Sequence, residues 1–385
     1  AAVEKALERM KQSSIDLMQF HAWHYPDPSY LDALYYLNEL REEGLIDHLG
    51  LTNFDAAHLR IVASSGIKVA SNQVSHSVID RRANHKFREV CEAYDIKLLA
   101  YGTLAGGFLS DKWLGQPEPL PEALSTWSQM KYKRFIDAAG GWSVFQEVLK
   151  ALHTVAQKHE SSIANVASRF VLENPAVGAI IVGARLGERS HIEEHKNSLA
   201  LELDEYDIQG IQEAQSKLSP IPGDCGDEYR KPPFLTASGD LSHHVEAIPA
   251  VFEPVSKGAN HQKVYSNTVW EDFAGYCRAV RKGNTIHVSG TTATHESAQI
   301  GMNDAAAQTH FIIDKIEASL NALGGSLSDV VRTRIFVNEL KDWEAVARAH
   351  GERFYGIDPA NTLVEARLVG EGYLVEIEAE AILGA

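Results

Sequence analysis

The first half of the chain alternates short apolar runs with segments of helical period. Five runs have the length and aliphatic composition of strands buried on both faces: residues 15–20, 46–51, 69–74, 96–101 and 179–182. Between them apolar side chains recur at helical spacing, as in Phe87, Val90, Cys91 and Tyr94. This alternation predicts a parallel sheet that is either doubly wound or closed into a barrel. No GxGxxG follows a strand, so the doubly wound dinucleotide-binding form gains no direct support.

The second half of the chain follows a different pattern. Apolar and polar residues alternate over 285–289, 332–337 and 374–380, as expected for strands with one polar face. Two segments of helical period separate these strands. Together they predict a compact α+β pair of layers.

A proline-rich stretch divides the two halves. Six prolines lie between residues 218 and 262, and proline both fixes φ and removes a backbone donor, so regular structure is not expected there. We interpret this stretch as a docked tail of the first domain followed by a linker. The predicted organisation is a first domain over 1–250, a linker over 251–262 and a second domain over 263–385.

The net charge and the cysteine content argue against several classes of protein function. The 36 Lys and Arg against 52 Asp and Glu give a formal net charge of −16, which argues against general nucleic-acid binding. No apolar run approaches the roughly 20 residues that cross a bilayer, so no membrane helix is expected. The three cysteines form no CxxC, which favours neither a zinc site nor disulfides and indicates a reducing, cytoplasmic location. The chain begins Ala-Ala-Val, without signal-peptide character or an initiating Met, and we expect a processed or partial chain.

Polar and aromatic residues follow the predicted strands of the first half. His21 follows the first strand, Thr52 and Asn53 follow the second, Gln73 lies late in the third and Tyr101 closes the fourth. The carboxyl ends of parallel strands meet at one edge of a sheet, so these side chains are expected to converge. Amides bind a carboxamide and a tyrosine ring stacks on a base. The set therefore predicts a nicotinamide site.

Two further features suit the phosphates of such a cofactor. The glycines after Tyr101, among them Gly106, let backbone N–H groups approach a pyrophosphate. Arg185 and Arg189, which follow the fifth strand, can pair with a ribose phosphate. A single histidine or tyrosine at a strand end is more often a packed residue, so the prediction depends on the ordered set.

Over roughly residues 1–250 the chain resembles the aldo-keto reductase family. The segments that carry the resemblance are 15–21, 50–54, 71–74, 99–107 and 181–185. The resemblance implies the last five strands of a (β/α)8 TIM-barrel-like domain and NADPH-dependent reduction of aldehydes and ketones. It implies that His21 orients the substrate carbonyl, that Thr52, Asn53 and Gln73 hold the carboxamide, and that Tyr101 stacks on the nicotinamide.

The same resemblance places Leu104, Gly106 and Arg185 in the cofactor-binding motifs, and it also shows departures. The Asp, Tyr and Lys that act beside the histidine in this family come from strands that this chain does not contain. His195 stands where the family has an Asn near the end of the cofactor motif. We therefore expect an incomplete barrel, from an incomplete chain or from a gene product that has lost carbonyl reduction.

Residues from about 263 to 385 resemble the Rid family of YjgF-type reactive intermediate deaminases. The matching runs are 274–280, 287–291, 329–337, 358–362 and 375–379. The resemblance implies a chorismate-mutase-like fold, a trimer with clefts between subunits, and hydrolysis of 2-imino or enamino acids. It assigns Glu376 to water positioning and Tyr276 to the pocket wall. Asn361 stands where the family has a carboxylate-binding Arg, and Arg278 is either a replacement cation or a solvated surface charge.

Three functional hypotheses follow. The first is an NADP-dependent oxidoreductase for a small carbonyl substrate, fused to a Rid-like domain that handles its product. The second is enamine or imine hydrolysis alone, with an inert barrel portion. The third is a non-catalytic homotrimer that assembles through the Rid-like domain and displays a degenerate barrel. Without the family's Asp, Tyr and Lys, enzymatic activity itself is left open at this stage.

Overall fold

The computed structural model describes residues 2–84, 86–183, 192–231, 249–256, 258 and 260–384. The chain divides into two compact units. Unit 1 comprises Ala1–Trp23, Leu45–Ala56 and Val69–His244, and unit 2 comprises His24–Gly44, Ala57–Lys68 and Val245–Ala385. Each unit is built around its own sheet.

The described residues form the following α-helices and strands. The helices are α1 (Ala2–Met10), α2 (Ser29–Glu42), α3 (Ala56–Ser64), α4 (Lys86–Tyr94), α5 (Trp127–Ala138), α6 (Gly141–Lys158), α7 (Ile163–Leu172), α8 (Ile192–Ala200), α9 (Glu205–Ser216), α10 (Val269–Ala274), α11 (Ala305–Ala322) and α12 (Trp343–Phe354). The strands are β1 (Ile15–Phe20), β2 (Ile46–Thr52), β3 (Val69–Ser75), β4 (Lys97–Tyr101), β5 (Val177–Ile180), β6 (Val255–Ser256), β7 (His261–Val264), β8 (Ala279–Lys282), β9 (Thr285–Thr291), β10 (Thr294–His295), β11 (Ala298–Gln299), β12 (Val330–Val337), β13 (Ala360–Glu365) and β14 (Val375–Ile382).

Unit 1 contains a five-stranded parallel sheet in the order β1-β2-β3-β4-β5. The predicted parallel sheet is thereby confirmed, and its five strands agree with an incomplete barrel. Strand β5 spans Val177–Ile180, two residues earlier than the apolar run that predicted it. In the registers between strands, Thr52 pairs with Gln73 and Ser75 pairs with Tyr101. The carboxyl ends of β2, β3 and β4 therefore lie side by side.

The main core of unit 1 lies among helices α5, α6 and α7 and the loop after β4. Phe108, Phe135 and Phe145 are almost completely buried there. Burial of each such side chain stabilises the fold by about 1.5–3 kcal/mol. Ser162 fixes the start of α7, because its side chain accepts the Asn165 N–H at 3.2 Å. This packing gives the strand ends a fixed support.

Unit 2 contains a seven-stranded sheet in the order β13-β12-β14-β9-β8-β7-β6. Strands β12 and β13 run parallel, and the other neighbours pair antiparallel. Helix α11 packs on β9 and β14 and beside α12. It buries Phe311, Ile312 and Ile316, because its apolar side chains recur at the helical period. The predicted α+β layer pair is confirmed.

Helix α2 and all of α3 after its first residue also belong to unit 2, although the sequence pattern assigned them to the first domain. The Nε2 atom of His58 in α3 lies 3.0 Å from Asp314 Oδ2 in α11. Arg353 of α12 donates to the other oxygen of that carboxylate at 2.7 Å. The ring of His58 stacks on Tyr25, with centroids 3.4 Å apart. The compact units thus cut across the predicted domain bounds, which remain a prediction.

Candidate functional site

The strand-end residues predicted from the sequence converge in unit 1. The backbone N–H of Asn53 donates to the carbonyl oxygen of Gln73 at 2.8 Å, directly after the register pair of Thr52 and Gln73. Asn53 has a left-handed φ of 56°, which asparagine tolerates better than most residues and which turns the chain away from β2. The hydroxyl of Tyr101 donates to Asn53 Oδ1 at 2.8 Å. The amide and the ring thus share one edge of the sheet.

Residues 226–230, the tail segment, lie directly on Asn53 and Tyr101. Arg230 donates to the Asn53 carbonyl oxygen at 2.7 Å, and Tyr101 Oη lies 3.4 Å from Glu228 Oε1 and 3.3 Å from Tyr229 Oη. Gly226 has a φ of 84°, and a Cβ there would overlap the Asn53 carbonyl oxygen. This position therefore requires glycine. From the sequence a docked tail was predicted, but not its contact with Asn53 and Tyr101.

Buried ion pairs hold the tail segment. Glu228 is fully buried, with one oxygen 2.9 Å from Arg82 NH1 and the other 3.3 Å from Lys131 Nζ of α5. Arg82 also pairs with Asp80 at 2.8 Å, and Lys131 donates to Tyr229 Oη at 2.7 Å. Burial alone raises the pKa of Glu228, but Arg82 and Lys131 outweigh it and hold that pKa below its usual value. The cluster contains two acidic and two basic side chains.

The imidazole ring of His21 lies at the same site, and its Nε2 atom has no hydrogen-bond partner in the described part of the chain. Its ring lies 4.4 Å from that of Trp23 and 6.1 Å from that of Tyr229, centroid to centroid. Burial, with a smaller contribution from the charge of Arg230, lowers the pKa of His21 to about 4, so the imidazole is neutral at pH 7. Its Nε2 is buried and meets no hydrogen-bond partner among the described residues. An orphaned polar atom of this kind suits a ligand oxygen.

Of the residues predicted to bind the cofactor phosphates, the structure describes those that follow β4. The Leu104 carbonyl oxygen accepts the Gly107 N–H at 2.9 Å in a turn after β4. Gly106 lies in that turn with a φ of 65°, close to the backbone of Ser128 in α5. Arg185, with Arg189, lies outside the described residues. The phosphate-binding roles of all these residues remain predictions.

A second candidate site lies in unit 2, where Glu376 of β14 faces β9. A Cβ at Gly290 would overlap Glu376 Oε1, so the carboxylate lies across the glycine backbone. Burial raises the pKa of Glu376, and the charge of Arg278 opposes that shift. Tyr276 is 40% exposed and lies three residues before the start of strand β8. Glu376 is thus partly shielded from water and close enough to Arg278 to interact with it.

Arg278 is only 6% exposed, so its interpretation as a solvated surface charge is wrong. Its guanidinium donates to the Gly290 carbonyl oxygen at 3.1 Å, to Thr291 Oγ1 at 2.7 Å and to the Ser289 carbonyl oxygen. Its Nε is buried and has no hydrogen-bond partner within the described part of the chain. Alternation in the strands could not reveal this burial, because Arg278 lies between elements.

Two residues at the edges of this site also matter. Asn361 donates to Thr333 Oγ1 at 2.9 Å, so its amide is used within the sheet. Lys315 of α11, which the sequence analysis did not single out, donates to the Thr292 and Thr294 carbonyl oxygens at 3.1 and 2.7 Å. Burial, together with the charge of Arg278, lowers the pKa of Lys315 to about 7. Its position three residues after Ile312 on a buried helix face was the available signal.

No group of three or more His, Cys, Asp or Glu within the described ranges could hold a metal ion. No helix there is long and apolar enough to cross a membrane.

Comparison with known proteins gives two family matches. The model for the aldo/keto reductase family matches residues 1–216, and the model for endoribonuclease L-PSP matches residues 269–383. These matches confirm both resemblances stated from the sequence.

Three relatives illustrate these matches. The "Uncharacterized oxidoreductase YqkF" of Bacillus subtilis is 26% identical over 215 residues, which are 55% of this chain and 63% of that protein. A RutC family protein of Pyrococcus abyssi is 33% identical over 31% of this chain and 94% of its own length. The "3-aminoacrylate deaminase RutC" of Acinetobacter baylyi is 34% identical over 28% of this chain and 87% of its own length. The chain thus spans about two thirds of the oxidoreductase and nearly all of the RutC proteins.

Proposed function

Because the chain belongs to the aldo/keto reductase family and, in its C-terminal part, to the RutC family, we propose that unit 1 is an NADP-dependent oxidoreductase acting on aldehydes or ketones. The observation that carries this proposal is the neutral His21, whose unpartnered Nε2 lies in the same cluster as Asn53 and Tyr101. The donor set of amides, hydroxyl and aromatic ring suits a nicotinamide in kind.

In this proposal Thr52, Asn53 and Gln73 hold the carboxamide, and Tyr101 offers its ring face. When bound, the cofactor supplies a hydride to the substrate carbonyl carbon. His21 donates a hydrogen bond from Nε2 to the carbonyl oxygen, which fixes the substrate and stabilises the negative charge that develops there. A pKa of about 4 makes His21 a neutral donor at pH 7 and not the source of the proton, which the alkoxide oxygen takes from water.

The test separates cofactor binding from turnover. We expect NADPH fluorescence to change on titration with the chain, and we expect His21→Asn to leave this binding within about twofold of wild type. Removal of one such donor lowers turnover of an aldehyde by about 10²–10³-fold. The matched control is His48→Asn, because His48 is an exposed histidine on β2. Absence of NADPH binding to the wild-type chain would refute the proposal.

A second candidate function concerns unit 2. The partly buried Glu376, lying across Gly290 near Arg278, favours hydrolysis of a small enamine or imine. In this proposal the Glu376 carboxylate positions a water molecule that attacks the imine carbon, and the products are a carbonyl compound and ammonia. The name of the relative from Acinetobacter baylyi, a 3-aminoacrylate deaminase, supports this substrate class.

Ammonia release from 3-aminoacrylate tests this second function. We expect Glu376→Gln to abolish it and Glu380→Gln, on the same face of β14, to leave it unchanged, since Glu380 pairs with Arg334 at 2.9 Å. The proposal includes a cytoplasmic homotrimer, in which a neighbouring subunit completes the pocket beside the exposed Tyr276. Gel filtration at micromolar concentration should show a trimer. A monomer that releases ammonia would contradict the shared pocket.

A further inference from the structure

The tail segment occupies the position that the proposed nicotinamide site requires. Asn53 is only 5% exposed, its Oδ1 accepts from Tyr101, and its carbonyl oxygen accepts from Arg230. Gly226 packs so closely that even a methyl group would not fit between it and Asn53. Gly226 and Arg230 thus cover the backbone side of Asn53, while Tyr101 occupies its Oδ1.

One face of the Tyr101 ring is covered by the same arrangement. Lys131 Nζ lies 5.1 Å from the Tyr101 ring centroid, within the range of a cation–π contact. Glu228 and Tyr229 of the tail segment hold Lys131 there, at 3.3 and 2.7 Å. A base cannot stack on that face of the ring unless this group of side chains moves.

The attachment of the tail segment is polar. Its main anchor is the buried Glu228 carboxylate, which pairs with Arg82 and Lys131 and also accepts the Gly226 N–H at 3.1 Å. Arg230 adds contacts to the carbonyl oxygens of Ala22 and Asn53. Water and ions can replace such contacts on both sides when the segment leaves, whereas a large apolar anchor would resist release.

The residues before the tail segment carry a carboxyl group that opposes closure. Asp224 lies near Asp55 and Asp227, and both of these charges disfavour its ionised form. The Cys225 N–H donates to Asp224 Oδ1 at 2.7 Å, and the charge of Lys86 opposes the effect of the two aspartates. The closed arrangement thus buries like charges beside each other. This cost reduces the free energy that holds the segment closed.

From these contacts we propose that the tail segment is a self-inhibiting latch: residues 226–230 compete with the nicotinamide for Asn53 and Tyr101, and the cofactor binds only after they are displaced. This inference rests on the proposed NADP-dependent function. A latch that is closed in about 90% of molecules weakens apparent cofactor binding about tenfold. Weakening the latch therefore tightens binding, whereas loss of a true cofactor contact loosens it.

Two variants open the latch by different means. Gly226→Ala introduces a methyl group against Asn53, and Arg230→Gln removes the guanidinium contacts without adding bulk. Lys231→Gln is the matched control, because its exposed side chain contacts Asp227 and neither Asn53 nor Tyr101. The dissociation constant of NADPH is measured by fluorescence for each 385-residue chain. We expect both opening variants to bind about tenfold more tightly than wild type and the control to match wild type.

Hydrogen exchange gives a readout that needs no turnover. Saturating NADP⁺ should increase deuterium uptake of a peptide covering residues 226–231 in the wild-type chain, because the segment leaves its site. Reduced uptake there, together with weaker binding by Gly226→Ala and Arg230→Gln, would overturn the latch and make the segment part of the cofactor site. If neither wild type nor either variant binds NADPH, the latch and the proposed reductase function both fail. Binding by wild type without tightening in Arg230→Gln refutes the latch alone.

Discussion

The buried carboxylate of Asp314 is expected to be a principal anchor of unit 2. It is 1% exposed and lies between His58 of α3 and Arg353 of α12, at 3.0 and 2.7 Å. Burial acts to raise the pKa of Asp314, but Arg353 and His58 outweigh burial and lower it. Asp314→Asn keeps the shape of the side chain and removes its charge.

The loss in the free energy of unfolding depends on the partners that remain for Arg353 and His58 after the substitution. Breaking a buried ion pair by removing one partner costs about 3–5 kcal/mol, since the other charge stays buried. Arg353 keeps a second partner, Glu317, at 3.1 Å. We therefore expect a loss at the low end of that range, about 3 kcal/mol in the free energy of unfolding of unit 2.

Urea unfolding at pH 7, combined with hydrogen exchange, measures this effect. Exchange should rise in peptides from α3, α11 and α12 and stay unchanged in α6. Glu344→Gln is the control, because its exposed pair with Arg348 is worth about 0.5 kcal/mol or less. If Asp314→Asn destabilised unit 2 no more than this control, the triad would not be an anchor.

The pH dependence of this difference has a definite sign. The pKa of Asp314 is lower in the folded chain than in the unfolded chain, so its stabilisation is fully present above the unfolded value of about 3.9. It is lost as the pH falls through the folded value. The difference between wild type and Asp314→Asn should therefore shrink below pH 4.

Three further predictions concern the two candidate sites. Burial, with the charge of Asp55, raises the pKa of Asp224 to about 7, so the closed latch is favoured at low pH and loses this stabilisation as the pH rises through 7. NADPH affinity should therefore rise from pH 5.5 to pH 8 in wild type but not in Asp224→Asn. Equal pH profiles of NADPH affinity would count against a role of Asp224 in the latch. Gly290→Ala should displace the Glu376 carboxylate and lower ammonia release at least about 100-fold, as loss of an oriented catalytic group does; unchanged release would refute the role of Glu376. Because His21 has a pKa of about 4, aldehyde reduction should show no inflection from His21 between pH 5.5 and pH 8, and loss of a pH 6–7 inflection in His21→Asn would contradict this.

The strands and their end residues were predictable because short-range pattern determines them. Alternating β and α segments leave little choice but a parallel sheet, and parallel strands bring Asn53, Gln73 and Tyr101 to one edge whatever else the chain does. The family models confirm the resemblances drawn from these segments. The spacing of apolar residues indicates that α3 has a buried face. It does not identify the partner of His58 on that helix, which is Asp314, 256 residues further along the chain.

The contacts of the tail segment could not be predicted from the sequence, for a related reason. Proline and glycine spacing predicts irregular backbone, and irregular backbone has no period from which a contact can be read. The hydrogen bond from Arg230 to Asn53 joins residues 177 positions apart. Arg278 was ambiguous for the same reason, since no repeating pattern fixes whether it faces water or the sheet.

The electrostatics of the latch connect its closing to the ligand that it excludes. While the segment is closed, Asp80 and Glu228 balance the charges of Arg82 and Lys131. When Glu228 leaves, two cations face one remaining carboxylate, and this edge of unit 1 becomes positive. A positive strand-end edge attracts anionic ligands, and the chain as a whole, with a net charge of −16, repels them. The opened edge therefore attracts the anionic NADP⁺ more strongly than uncharged nicotinamide, which should open the latch less effectively.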